Sequence, residues 1–105
     1  MNMGSMAVQH VDQPVLREVV RIFRSLSDES RVRIVNLLIE NTRLCVSDIA
    51  SSLDIPISSV SHHLRLLKDL GFVGHERDGK KVYHSLIDDC IRDILRRAIE
   101  HVGEE

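Results

Sequence analysis

Aromatic residues are scarce in this chain: one Tyr, two Phe and no Trp among 105 residues. A core built on stacked rings is excluded, so the interior must be packed from Ile, Leu and Val, and the 43% hydrophobic content suffices for that. No apolar run approaches the length needed to span a bilayer. The opening MNMGSMAVQH has neither a charged n-region nor an apolar h-region, so no signal peptide is expected. Only two cysteines occur, Cys45 and Cys90, widely spaced. Without an export signal they read as reduced thiols rather than a disulfide, and the expected location is the cytoplasm. Also missing are a phosphate-binding glycine loop, a nucleophile elbow and an HExxH motif, which argues against an enzyme. His62 and His63 are adjacent, so on a helix they point about 100° apart and make a poor chelate.

What is present has the makings of one globular domain. A chain this short buries a modest share of its surface, and dimerisation would help it. The net charge of −2, taken alone, argues against a nucleic-acid partner. Its distribution says more. Residues 58–84 carry Arg65, Lys68, Arg77, Lys80 and Lys81 against Asp69, Glu76 and Asp78, together with His62, His63, His75 and His84. Residues 88–105 carry Arg92, Arg96 and Arg97 against six carboxylates. The middle is mildly basic and the end acidic.

Residues 1–11 lack periodicity and read as a flexible arm, leaving 12–105 as the folded domain. Asp12 is placed to cap a first helix, with Pro14 tolerated in its first turn and apolar positions from Val15 to Leu26 at helical spacing. Ser27 or Asp28 starts a second helix through Val32–Ile39, ending near Asn41. Leu44-Cys45-Val46 suggests a small strand. Ser47 then reads as the N-cap of a short helix through Leu53. Pro56 disfavours a helical Ile55 and breaks the chain. The next helix runs from about Ile57 to Leu70, with Val60, Leu64, Leu67 and Leu70 on one face and Gly71 at the C′ position. Phe72–Arg77 and Lys81–Leu86 flank Asp78-Gly79, a hairpin signal. Asp88 caps a last helix carrying Ile91, Ile94, Leu95, Ala98, Ile99 and Val102.

Two short helices around a tight break, followed by a basic hairpin, give a winged helix-turn-helix: mainly α with one small β-hairpin. A recognition helix needs an apolar face for docking and a polar face for base edges and phosphates. Ser58, Ser59, Ser61, His62, Arg65 and Lys68 supply the polar face, and Arg77, Lys80 and Lys81 at the hairpin can touch phosphates. Capping and turn chemistry would also account for the serines, and a charged tip can simply be solvated.

The stretch SSVSHHLRLLKDLGFVGHERDGKKVYHSL (58–86), with SDESRVRIVNLL (27–38) and LCVSDIASSL (44–53) in the same order and spacing, resembles the ArsR/SmtB-type repressors over roughly residues 14–104. The resemblance implies a dimeric fold of four helices, two strands and a fifth helix. It implies binding to double-stranded DNA bearing an inverted repeat, relieved by an inducer. Pro56 departs from it, standing where a Ser or Thr cap is common.

Asp88, Cys90, His101 and Glu104 on the last helix are all metal-ligand types. Cys90 and His101 share a helix face but lie about 16 Å apart, so one helix cannot bring them to one ion. Two antiparallel copies could, with two ligands from each subunit. The zinc-sensing branch of the family carries Asp-x-His, ten residues, then His-x-x-Glu or His-x-x-His, and this chain matches three of the four positions with Cys90 replacing a histidine. Zinc or another transition metal is therefore the expected inducer; a thiolate still binds zinc well, and it also brings softer ions such as cadmium or copper(I) into range. Gly103 is expected to fray the helix before Glu104. Alternatively, Asp88 only caps, Cys90 is a small buried residue at the dimer seam, or Cys90 is a redox or persulfide sensor. The resemblance also points to a second metal site from Cys45 and Asp48 with His10 or Asp12 of the other subunit's arm. Ser47 stands where thiol-rich members have a second cysteine. A protein-interaction adaptor is a remoter alternative, which salt-independent DNA binding would favour.

Overall fold

The computed structural model describes residues 10–104, so residues 1–9 of the expected arm lie outside it. Five helices and one hairpin follow in the expected order: α1 (Gln13–Ser25), α2 (Glu29–Glu40), α3 (Val46–Leu53), α4 (Ile57–Asp69), β1 (Val73–Asp78), β2 (Lys81–Leu86) and α5 (Asp89–Gly103).

The core is aliphatic, as the shortage of rings requires. Ile34, Val35 and Leu38 of α2 meet Ile49 and Ala50 of α3, Val60, Leu64 and Leu67 of α4, and Ile91 and Leu95 of α5. Phe72, Val73 and Leu86 close it from the base of the hairpin. The buried residues of α4 (Val60, Leu64, Leu67) and α5 (Ile91, Leu95) recur every three or four positions, which puts each set on one face of its helix. Helices α2 and α3 each bury an adjacent pair, a wider face.

Several boundaries follow local chemistry. Asp28 is the N-cap of α2, its carboxylate accepting the Arg31 N–H at 3.0 Å. Asp12 occupies the N-cap position of α1 without a side-chain cap bond, and Pro14 sits in the first turn. Gly71 takes φ +83 after the Leu70 C-cap, the left-handed conformation that glycine tolerates. The last helix keeps Gly103 inside it, so the expected fraying before Glu104 does not occur; Glu104 is the C-cap, its N–H bonded to Glu100 O at 3.0 Å.

Three further expectations are corrected. Cys45, not Ser47, is the N-cap of α3, because Asp48 reaches back to accept the Cys45 N–H and so starts the helix two residues early. The strand expected at Leu44-Cys45-Val46 is a single bridge: Leu44 and His84 exchange N–H···O bonds at 2.9 and 2.7 Å. Asp78 belongs to β1 and pairs with Lys81, leaving Gly79-Lys80 as the two-residue loop. Gly79 alone has positive φ there, +66, the pattern of a type II′ turn with glycine first.

The outer helices are less enclosed. Only the C-terminal end of α1 joins the body, where Ile22 and Leu26 pack on the core and Ser25 is buried. Val15, Leu16, Val19, Val20 and Phe23 of α1 are exposed, as are Ile99 and Val102 of α5. Between the two helices runs an apolar groove of 780 Å³, lined in part by Phe23, Val32, Ile94, Ala98, Ile99 and Val102.

Candidate functional site

The break between α3 and α4 is built tightly. Asp54 adopts the left-handed region (φ 54, ψ 50), which aspartate tolerates better than most side chains. Arg33 of α2 donates to Leu53 O at 2.8 Å, satisfying a carbonyl at the end of α3. Pro56 then caps α4 by position alone, with no side-chain hydrogen bond.

With Val60, Leu64 and Leu67 buried, the opposite side of α4 is left to solvent. Ser58, His62, Arg65 and Lys68 are exposed there, and Ser59 and Ser61 are half-buried. Arg77, Lys80 and Lys81 of the hairpin are exposed as well. Among the described residues, the ion pairs engage Arg21, Arg43, His63, Arg92 and Arg97. Arg65, Lys68, Arg77, Lys80 and Lys81 take part in none of them. Lys81 lies near enough to Asp48 to help hold its carboxyl below the ordinary range, after hydrogen bonds from Cys45.

The two adjacent histidines diverge, as expected. Their rings meet edge-on at 5.6 Å. His62 faces solvent, while the His63 ring turns inward, with Nδ1 3.5 Å from Arg31 and Nε2 3.9 Å from Asp28. Burial lowers the His63 pKa, Asp28 opposes this, and Arg31 and His62 lower it further. His63 belongs to a knot in which Arg31 also donates to Ser25 O at 2.8 Å, joining α1, α2 and α4.

Sequence reasoning passed over two hairpin features. His75 and His84 are directly opposite across the ladder, rings 6.1 Å apart. His84 Nδ1 is buried without a partner among the described residues, and burial, then His75 and Lys68, push its pKa down. Arg43 reaches the hairpin from the α2–α3 connection, donating to Glu76 and Asp78 at 2.9 Å each. The alternation of the strand could have marked Glu76 and Asp78 as sharing a face, but nothing local points to Arg43.

On α5, Asp88 is half-buried and caps the helix, its Oδ1 accepting the Ile91 N–H at 2.9 Å. Cys90 is exposed, which excludes a buried residue within its own chain. His101 and Glu104 are exposed in and just past the last turn, with Glu104 3.7 Å from Arg97. Among the described residues of one chain, no three potential metal donors come together. The helix keeps the two halves of the α5 set at opposite ends, as its length dictates. The donors present, one thiol, one imidazole and two carboxyls, suit a zinc- or cadmium-type ion, and three of the four are accessible. Of the second set, Cys45 and Asp48 do meet: the buried thiol is 2.9 Å from Asp48 Oδ2 and 3.3 Å from Ser47 Oγ. His10 does not join them within the chain, and none of the described helices is long and apolar enough to cross a membrane.

A helix-turn-helix whose second helix turns a polar face outward beside a cationic hairpin defines a winged helix-turn-helix transcription regulator. Comparison with known proteins narrows the class. The bacterial regulatory protein arsR family matches residues 28–74. A cadmium resistance transcriptional regulatory protein CadC homolog of Staphylococcus aureus is 39% identical over 87 residues, 83% of this chain and 72% of that one. A transcriptional repressor SmtB homolog of Synechocystis is 34% identical over 97 residues, 92% of this chain and 71% of that one. The crystal structure of the AntR antimony-specific transcriptional repressor superposes with a TM-score of 0.84 at 23% identity, covering 99% of this chain and 94% of that chain. The chain belongs to the ArsR family of bacterial regulatory proteins, which are regulators and not enzymes.

Proposed function

We propose that this chain is a DNA-binding transcriptional repressor that works as a homodimer on an inverted-repeat operator and is released by a transition metal held between the two α5 helices. One observation carries the DNA reading: Arg65, Lys68, Arg77, Lys80 and Lys81 are gathered, exposed, on α4 and the hairpin, and stand outside every ion pair among the described residues. Ser58, Ser59, Ser61, His62, Arg65 and Lys68 are assigned to the major groove and its flanking phosphates. Arg77, Lys80 and Lys81 are assigned to the backbone beside it.

The dimer is supported by the apolar groove between α1 and α5 and the exposed side chains of Phe23, Ile99 and Val102. Pairing two α5 helices antiparallel brings Asp88 and Cys90 of one chain to His101 and Glu104 of the other. The ion supplies a cross-link between chains. The residues orient it: Asp88 is fixed by its cap bond, and His101 keeps one ring nitrogen for a backbone partner. The Cys45, Asp48 and His10 set is assigned a secondary role at most, since Asp48 is committed to the start of α3. Because Cys90 is exposed, thiol oxidation or persulfidation is the second reading.

The test is a DNA titration with reduced apo protein, with zinc and with cadmium, repeated on a Cys90→Ala, His101→Ala variant. Release of DNA by metal from the wild type only is the expected result. Tight DNA binding that metals leave unchanged removes the metal reading, and release by polysulfide, which hands a sulfane sulfur to the thiolate and leaves as the shorter sulfide, or by peroxide would then favour the thiol. Binding that is weak and indifferent to salt would point to an adaptor and remove the DNA reading.

A further inference from the structure

We propose that Arg43 is a positioning residue of the wing: it neutralises the acidic face of the hairpin and fixes the hairpin's tilt, so that the cationic residues meet the DNA backbone. The inference rests on the reading above that the wing contacts DNA.

Arg43 sits between α2 and α3, more than thirty residues from its partners. One terminal nitrogen donates to Glu76 Oε1 and the other to Asp78 Oδ2, both at 2.9 Å. Its Cζ stands 4.1 Å from the centre of the Tyr83 ring. These contacts share one surface: Glu76 and Asp78 are two residues apart on β1, and Glu76 pairs with Tyr83 across the ladder. Arg43 therefore covers that face of the hairpin, while His75, Arg77, Val82 and His84 alternate onto the other. The next residue, Leu44, exchanges both backbone hydrogen bonds with His84. Side chain and backbone together tie the hairpin to the body at adjacent positions.

The charges give this tie its consequence. Between Glu76 and Lys81 the hairpin carries three cations and two carboxylates. Alone, the carboxylates offset most of the attraction that Arg77, Lys80 and Lys81 exert on a phosphate. They neighbour those cations along the strands, Asp78 pairing with Lys81 across the ladder, and salt screens only beyond about 8 Å at physiological strength. Arg43 restores the balance by engaging both at once, and its planar fork suits two acceptors as a lysine would not. Exposed ion pairs contribute little to stability, so the main effect falls on the local field and on the angle of the hairpin.

The probe is a duplex of about 30 base pairs, enriched from a random library on the wild-type protein and followed by fluorescence anisotropy between about 50 and 200 mM salt. Arg43→Gln is expected to weaken binding about ten-fold, and adding Glu76→Gln and Asp78→Asn to recover it to within about three-fold of wild type. Tyr83 is the only tyrosine in a chain without tryptophan, so its fluorescence reports on the free wing. Arg43→Gln should raise its quenching by acrylamide. Unchanged affinity and quenching in Arg43→Gln overturn the proposal. Failure of the triple variant to recover, with the salt slope lowered by about one, also overturns it, because Arg43 would then touch a phosphate itself. If the wild type shows no salt-sensitive binding to any enriched duplex, the DNA reading fails and this inference falls with it.

Discussion

The Cys45 thiol stands 2.9 Å from Oδ2 of Asp48, and the same oxygen accepts the Cys45 backbone N–H at 3.4 Å. Two donors from one residue thus converge on a single carboxylate in the first turn of α3, where negative charge also suits the helix dipole. Within one chain the thiol has a local task, and recruiting it for a metal means giving up this bond.

That pairing predicts an acid-side signature. The thiol hydrogen bond, then the backbone hydrogen bond, hold the Asp48 carboxyl below its ordinary value. A folded-state pKa below the unfolded one contributes stability that is complete above the ordinary carboxylate range, about 3.9, and is lost as pH falls through the lower folded value. Cys45→Ala should move the Asp48 titration upward, measured by carboxyl ¹³C NMR. An unmoved titration would show that the thiol is not the cause.

The histidines set a second limit at milder pH. Burial first lowers the pKa of both His63 and His84; at His63 Asp28 opposes it while Arg31 and His62 add to it, and at His84 His75 and Lys68 add to it. Above about 6.5 both are neutral folded and unfolded alike. Below it the unfolded chain takes up protons that the folded chain resists, so stability should fall from about pH 6.5 downward. Urea titrations at pH 7.5 and pH 5.5 check this, and His84→Gln should flatten part of the slope.

Asp88 holds two assignments that substitution can separate. Asparagine caps a helix nearly as well as aspartate but lacks the carboxylate charge that favours metal. Asp88→Ala should cost about 1 kcal/mol through the lost cap, and Asp88→Asn much less. Both should blunt the metal response. Thermal melting read beside metal-dependent DNA release tests the pair; a metal response intact in Asp88→Asn would leave Asp88 as a cap alone.

The α1–α5 face predicts assembly. Phe23 is 58% exposed and Val102 75% exposed in the single chain. Phe23→Glu or Val102→Glu should shift sedimentation from twice 12.0 kDa to 12.0 kDa while leaving the α2–α4 core folded. A dimer unaffected by both would place the contact elsewhere.

Much of this fold is legible in the sequence because its signals are local. Val60, Leu64 and Leu67 announce the buried side of α4 by spacing alone, and Gly71 marks where it stops. Asp88 caps α5 as aspartate should. Where a weak local preference meets a specific contact, the contact prevails. Ser47 is the better capping residue by type, yet Cys45 takes the position because Asp48 bonds back to it. Asp78-Gly79 looks like the loop, yet pairing of Asp78 with Lys81 moves the loop to Gly79-Lys80. Arg43 and His84 lay beyond reach because their surroundings are assembled from segments far apart in the chain. The α5 donors are legible as residue types, but one chain can bring only half of them to any one proposed site.

Consider last the first helix. Its thirteen residues are near the lower limit at which an isolated helix holds in water, and only its final turn rests on its own subunit. If α1 packs on a second copy, as the proposed dimer has it, this segment acquires order by collision, at a rate that grows with the square of chain concentration. The melting temperature should therefore climb with dilution reversed, and the youngest chains in a cell should spend their first moments with this helix loose.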